Sequence, residues 1–293
     1  MEALSVIREA RDKTGEGALV VNGELIDTNG YAAYHKRRIA FTLEKLGKIG
    51  ARKIVEVGSH PWVMTAQLVD DPRFGLCSTV SAEELTRWPD EIGVSARRYQ
   101  LRTPRGNEAS FVNYSANVER TLFDIEEDPD TVIACEIVEH LIRSPHVMFL
   151  NVNRWLPVAG KLLVTTPNCA QLANPFRRRS PTPAYRCHVY ERHSYLYTLA
   201  DLTELIELCG FHVQDAGLCD VYDRHGLPIF YGLLSRLPGG YFREKFAKTI
   251  YVMAVKERDV AELEKPPRVY DSRGRWEFIK PAAKVAVSSE RLA

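Results

Sequence analysis

Three short, largely apolar runs constrain this 293-residue chain more than any other feature: Lys53–Val57 (KIVEV), Thr131–Ile137 (TVIACEI) and Lys161–Thr166 (KLLVTT). Their length and β-branched content are those of strands buried on both faces of a parallel sheet. The first run meets Gly58, and the apolar stretch Trp62–Leu68 after it reads as a helix. Gly75–Val80 fits a second strand, with a helix opening near Ser81, where Glu83 and Glu84 would suit the dipole of its first turn. A helix is expected over Pro145–Leu156. Another is expected over Thr198–Cys209, opened by Thr198 as N-cap with Asp201 three residues on and closed by Gly210. Phe211–Ala216 and Thr249–Val255 supply two late strands. Upstream, Tyr31–Leu46 spaces Tyr34, Ile39, Leu43 and Leu46 as the apolar face of a helix, with basic residues between them and Gly47 and Gly50 to end it.

Strands alternating with helices in this way predict an open, doubly wound, mostly parallel α/β sheet with right-handed crossovers. Ligands of such sheets bind beyond the carboxyl ends of the strands, where the strand order reverses, so the residues just after each strand matter most. The division expected is an N-terminal helical cap over residues 1–50 and one α/β domain over 51–257 with an insertion at 217–246. Residues 258–293 then form a C-terminal tail, whose last dozen residues are expected to be loosely held.

With 39 basic and 38 acidic side chains, a formal charge of +1 gives no bulk field to recruit nucleic acid or an anionic membrane. The six cysteines are scattered without a C-x-x-C pair, which fits reduced thiols in a cytoplasmic protein. The opening MEALSVIREARDKTGEG has no unbroken apolar stretch and resembles neither a secretory signal nor a membrane anchor.

Three segments together resemble the class I S-adenosylmethionine-dependent methyltransferases, particularly the small-molecule group associated with sugar and glycan biosynthesis. In that group an asparagine and acidic residues precede a strand ending in E-x-x-E-H. A helix, a proline-glycine turn and a strand ending in T-P-N follow. Asn117–Asn168 keeps Asn117, Glu136, Glu139, His140, Gly160, Thr166, Pro167 and Asn168 of this pattern. Arg192–Phe211 continues it with a tyrosine-threonine pair, a helix and a C-G-F turn. The glycine motif KIVEVGSHPWVMT keeps Glu56 and Gly58, but has Ser59, His60, Pro61 and Trp62 where a fuller glycine loop is usual. After the second strand the family places a carboxylate on the ribose hydroxyls, and here Ser81 or Glu83 stands near that place.

The resemblance implies a Rossmann-like fold and S-adenosyl-L-methionine as cofactor, held around Glu56, Gly58, Ser59, Ser81, Asn117, Glu136 and Ile137. It implies methylation of a small-molecule acceptor, with an oxygen on a saccharide favoured over N- or C-methylation of a polar metabolite. No nucleic-acid or membrane partner is expected, and the late insertion would shape the acceptor site or a homodimer contact.

Methyl transfer from a sulfonium requires alignment, exclusion of water and, for a hydroxyl acceptor, removal of a proton. His140 is the preferred base, with His188 and His193 as rivals; the alternative for His140 is a cap on the following helix. Glu136 ends a buried strand, where an unpaired carboxylate is costly, so it should face a ligand or partner. Asn174–Tyr197, rich in Arg, His and Tyr, sits where the family often builds a lid, so Glu139, Tyr185, Arg192 and Tyr195 are expected at the acceptor. A solvated basic loop is the competing reading. The acidic run Asp124–Asp130 could hold magnesium through oxygen ligands, although such runs are more often solvated loops.

Two other classes stay open at this point. A nicotinamide-binding oxidoreductase is disfavoured because no G-x-G-x-x-G follows the first strand. A non-catalytic protein that keeps the fold but has lost its cofactor contacts would accommodate the altered glycine motif.

Overall fold

The computed structural model describes residues 18–81, 93–141, 145–169, 197–221, 247–263, 269–270, 276–277 and 283–289. Strands β1 (Leu19–Val21) and β2 (Glu24–Ile26) form a hairpin, and helix α1 (Asn29–Ile49) follows. Then come β3 (Lys53–Val57), α2 (Val63–Asp70), β4 (Gly75–Ser81), β5 (Val94–Arg102), β6 (Glu108–Ala116) and the two-residue β7 (Thr121–Leu122). The second half contributes β8 (Thr131–Cys135), α3 (Pro145–Trp155), β9 (Lys161–Pro167), α4 (Leu199–Leu208), β10 (Phe211–Val221) and β11 (Ala247–Lys256).

One sheet runs β10-β11-β9-β8-β3-β4-β6-β5-β1-β2. Its centre, β9-β8-β3-β4-β6, is parallel throughout, and antiparallel pairs flank it on both sides. This is the expected Rossmann-like α/β fold, and β3 is where the order reverses, with β4 on one side and β8 on the other.

Alternation along the central strands shows why their sequences are largely apolar. Val55, Val57, Val132, Ala134, Leu162 and Val164 join the cluster under α3 and α4. Their neighbours Ile54, Ile133, Cys135 and Leu163 point the other way, into the cluster under α1 and α2. A strand buried on both faces has no polar side to show.

Local signals account for the helix ends. Thr198 accepts from the Asp201 N–H and the Asp201 carboxylate reaches back to the Thr198 N–H, a complete capping box. Gly50 closes α1 at φ +67. The carboxyl end of α3 is closed at long range, because the buried Lys256 ammonium donates to the Asn153 and Leu156 carbonyls at 2.6 and 2.7 Å.

Four expectations are corrected. The first fifty residues are not a helical cap alone, since β1 and β2 extend the sheet through β5. Their turn is Asn22-Gly23, both at positive φ, a hairpin signal present in the sequence. The β5–β6 hairpin goes beyond the expected elements, because its buried face changes from Val94 and Ala96 to Tyr99 and Leu101, with exposed Arg97 and Arg98 between them. The tail is tied back, with Ala283–Lys284 alongside β7 and Ser288–Ser289 alongside β5. On α1, Tyr34 is exposed although its spacing puts it on the apolar face, and Arg38 is buried although the basic residues are expected outside.

Among the described residues no helix is long and apolar enough to cross a membrane.

Candidate functional site

Because the five central strands are parallel, their carboxyl ends share one edge. The residues just beyond them are Gly58 after β3, Ser81 ending β4, Asn117 after β6, Glu136 after β8 and Asn168 after β9. The sequence-predicted cofactor residues Glu56, Gly58, Ser59, Ser81, Asn117, Glu136 and Ile137 therefore gather along this edge, although they are scattered in the chain. His188, His193, Tyr185, Arg192 and Tyr195 lie outside the described residues.

At the point of strand reversal, a small cleft opens between α1 and the β3–α2 turn. Its walls include Tyr31 and Arg38 of α1, Glu56, Gly58, Ser59 and His60 of the turn region, and Cys135 from β8. Gly58 adopts φ +81, and a Cβ there would stand 2.9 Å from the Ile137 Cβ. Both facts demand glycine, one through backbone strain and the other through the residue after Glu136 on the neighbouring strand. The glycine requirement thus comes from the protein's own packing as well as from any ligand.

The unusual turn residues have structural roles. Trp62, at φ 66, is 1% exposed and packs its ring 5.4 Å from Tyr99 and 6.0 Å from Phe111. Burying such a ring contributes about 2–3 kcal/mol, so the turn is anchored in the core beneath it. Ser59 is 2% exposed, and its Oγ has no hydrogen-bond partner among the described residues.

Polar groups converge on the α1 side. Arg38, 3% exposed, donates to the Tyr31 hydroxyl at 3.2 Å and lies 3.8 Å from a Glu136 carboxylate oxygen. Its Nε has no hydrogen-bond partner among the described residues. Burial works against the Arg38 charge, but Glu136, Cys135 and Tyr31 outweigh it and hold the guanidinium protonated. Glu56 is buried and accepts from Thr65 Oγ1 at 2.6 Å. Desolvation pushes its carboxyl up to about 8, against the Thr65 hydrogen bond and the Arg38 charge.

Glu136 sits at φ 55, a left-handed conformation that costs a non-glycine residue on the order of 1–3 kcal/mol. It is held there by its N–H donating to the Thr165 carbonyl at 2.8 Å and by Thr165 Oγ1 donating to its carboxylate at 3.1 Å. This twist ends the strand and turns the chain into the short 3-10 segment Val138–His140. Glu139 is fully buried there and accepts from Thr166 Oγ1 at 2.9 Å, so this expected acceptor residue lies within the protein. Burial, reinforced by Glu136, raises its pKa well above the ordinary carboxylate range. His140 is 37% exposed, with Nε2 4.0 Å from Glu139 Oε1.

Ser81 and Asn117 are engaged locally. Ser81 exchanges hydrogen bonds with the Asn113 side chain at 3.1 and 3.2 Å. The Asn117 side chain accepts from the Glu119 N–H at 3.3 Å, an Asx turn that shapes the loop after β6.

The acidic run is dispersed. Asp124 pairs with Arg154, Glu127 accepts from Tyr114 at 2.9 Å, and Asp130 caps the start of β3 by accepting from the Lys53 N–H at 3.0 Å. Among the described residues no group of three or more His, Cys, Asp or Glu side chains is placed to hold a metal. The magnesium expectation therefore finds no site in that run.

Sequence reasoning missed Arg38. Its signal was an arginine within a helix that precedes the glycine turn, but one helical face cannot be told from another without the packing.

No family model matches the chain, and no curated protein matches it. Among solved structures it is similar to an S-adenosylmethionine-dependent methyltransferase from Clostridium acetobutylicum, with 11% identity, TM-score 0.48, and 78% of this chain and 99% of that one covered. It is also similar to the N-methyltransferase NodS from Bradyrhizobium japonicum, with 10% identity, TM-score 0.42, and coverage of 75% and 86%. A third is the small RNA methyltransferase HEN1, with 16% identity, TM-score 0.47, and coverage of 75% and 25%. At these values the likeness does not extend to activity, acceptor or partner.

Proposed function

We propose that the protein is an S-adenosylmethionine-dependent methyltransferase acting on a hydroxyl of a saccharide or a similarly polar small metabolite. The observation that carries this reading is the cleft at the strand reversal. There Ser59 Oγ and Arg38 Nε, both deeply buried, have no hydrogen-bond partner among the described residues, beside a glycine turn that leaves the backbone bare. Unpaired buried donors are costly and call for a polar ligand. A zwitterionic amino-acid group meets that demand, with its carboxylate toward the guanidinium. The segments that resemble the methyltransferases end on this same edge, which ties the cleft to that chemistry.

The cofactor would supply a methyl group already activated by a sulfonium. The chain's part is to hold and orient. Arg38, Ser59 and the backbone at Gly58 bind the amino-acid end, and Asn117 and Ser81, further along the edge, stand toward the nucleoside. His140 lies beyond Glu136 with its ring partly open to solvent, where it would take the proton of an acceptor hydroxyl. Glu139 is buried beside it, 4.0 Å from the ring nitrogen and so beyond hydrogen-bond reach.

Calorimetric titration of the full chain with S-adenosylhomocysteine tests the reading. Saturable one-to-one binding is expected, retained within about twofold in His140→Ala, because that histidine serves the acceptor. Turnover by the variant should fall on the order of 10²–10⁴-fold. No detectable binding at millimolar ligand would overturn the proposal and favour a protein that keeps only the fold.

A further inference from the structure

The segment after β11 comes back to the carboxyl edge of the sheet. Ala283 and Lys284 pair in parallel with Thr121 and Leu122 of β7, and the Val285 N–H donates to the Leu122 carbonyl at 3.1 Å. Ser288 and Ser289 then pair with Ser95 and Ala96 at the start of β5. Between the two pairings lie only Val285, Ala286 and Val287, so the Cα steps from Lys284 to Ser288 span at most about 14 Å. Val287 packs against the main core cluster. A short strap, tied at both ends, thus joins β7 to β5.

Both ties adjoin the carboxyl end of β6. Ala116, its last residue, is the register partner of Val94. The chain then turns at Asn117, whose carbonyl accepts from the Arg120 and Thr121 N–H groups at 3.1 and 3.0 Å, and runs straight into β7. Asn151 of α3 gives this turn one hold, donating to the Thr121 carbonyl at 2.7 Å and accepting from the Phe123 N–H at 3.0 Å. The strap is a second hold. The stretch of edge it borders has an unmet polar demand, because the register sets Ser81, Ser115 and Ser95 side by side on one face of β4, β6 and β5. Ser115 is 4% exposed, and its Oγ has no hydrogen-bond partner among the described residues. Like Ser59 Oγ at the cleft, it calls for a polar partner.

We infer that Lys284–Ser288 is a positioning strap for the cofactor site: it holds the Asn117 turn against the start of β5, and so keeps the Ser115–Asn117 stretch of the edge in the shape that receives the nucleoside. The inference rests on the methyltransferase reading for the identity of the ligand, but the hold itself is read without it. A turn fixed before the ligand arrives costs less to order on binding, so the strap acts on affinity although it touches no ligand. Strap and ligand bear on the same turn, and each tightens the other.

Amide hydrogen exchange and calorimetric titration of the full chain with S-adenosylhomocysteine test this. Val285→Pro removes the N–H donated to Leu122, and Val285→Ala keeps it. In Val285→Pro the Arg120 and Thr121 amides should exchange about tenfold faster or more, while the β8 and β9 amides stay protected and report an intact fold. Its affinity for S-adenosylhomocysteine should fall about tenfold or more, and Val285→Ala should stay within about threefold of the wild type on both measures. In the wild type the ligand should slow exchange at the Val285 amide. If Val285→Pro also exposes β8 and β9, Val287→Ser, which keeps every backbone donor and loosens only the packing of the strap, carries the same two comparisons. Affinity in the variant within about twofold of the wild type, or unchanged protection of Arg120 and Thr121, would overturn the inference. A wild type that binds no S-adenosylhomocysteine counts against the methyltransferase reading, and the exchange comparison then decides by itself whether the strap holds the turn.

Discussion

Replacing Glu56 with glutamine isolates the energetic cost of placing a carboxyl group under the candidate cofactor cleft. Burial raises the folded-state pKa to about 8 from an ordinary 4.5. The folded protein therefore holds this proton through a range in which the unfolded chain has released it. For a group whose folded pKa is raised, the stabilising contribution is complete below the unfolded value and is lost as pH climbs through the folded value. The slope is about 1.4 kcal/mol per pH unit across that window. Between pH 5.5 and 7.5 the wild type should thus lose roughly 3 kcal/mol through Glu56 alone. The glutamine of the variant does not titrate, and its amide oxygen can still accept from Thr65 Oγ1. Other groups, such as the similarly raised Glu139, act equally in both proteins and cancel in the difference. Urea unfolding at half-unit intervals from pH 5 to 8.5 is the assay. The two proteins should be of similar stability near pH 5, and Glu56→Gln should become the more stable by about 3 kcal/mol at pH 7.5. Parallel profiles would show that Glu56 is ionised throughout, and would refute the account of desolvation outweighing Arg38.

Other outcomes follow from single contacts. Gly58→Ala should cost about 2–4 kcal/mol, from left-handed strain plus overpacking against Ile137, measured by urea unfolding, and should abolish S-adenosylhomocysteine binding. Thr198→Ala removes one half of the capping box of α4 and should lower stability by about 1 kcal/mol in the same assay. Lys256→Met leaves the carbonyls of Asn153 and Leu156 without their charged donor, and a loss of about 2–3 kcal/mol is expected.

What local periodicity and local chemistry control could be read from the chain directly. The apolar runs at β3, β8 and β9 are legible because each strand is buried on both faces, so few polar side chains interrupt the run. The α4 cap is legible for a similar reason, since Thr198 and Asp201 satisfy one another across a single turn. The strand ends likewise mark Gly58 and Glu136 as residues of one edge, once a parallel sheet is inferred, whereas Asn117 follows β6, a strand outside the expected elements.

The rest was settled by packing. That Arg38 lies inside and Tyr34 outside depends on how α1 rolls against the sheet, and an amphipathic pattern with basic and aromatic residues on neighbouring positions does not set that angle. The partners that make Gly58 obligatory and raise Glu56 come from Ile137 and from the packing of α1, far along the chain or on another element. The β5–β6 hairpin hides its strands because the buried face changes part-way along β5, from Val94 and Ala96 to Tyr99 and Leu101, which breaks any simple alternation. Pairing across a sheet and the depth at which a charge is buried are set by contacts between distant segments, which a linear pattern does not encode.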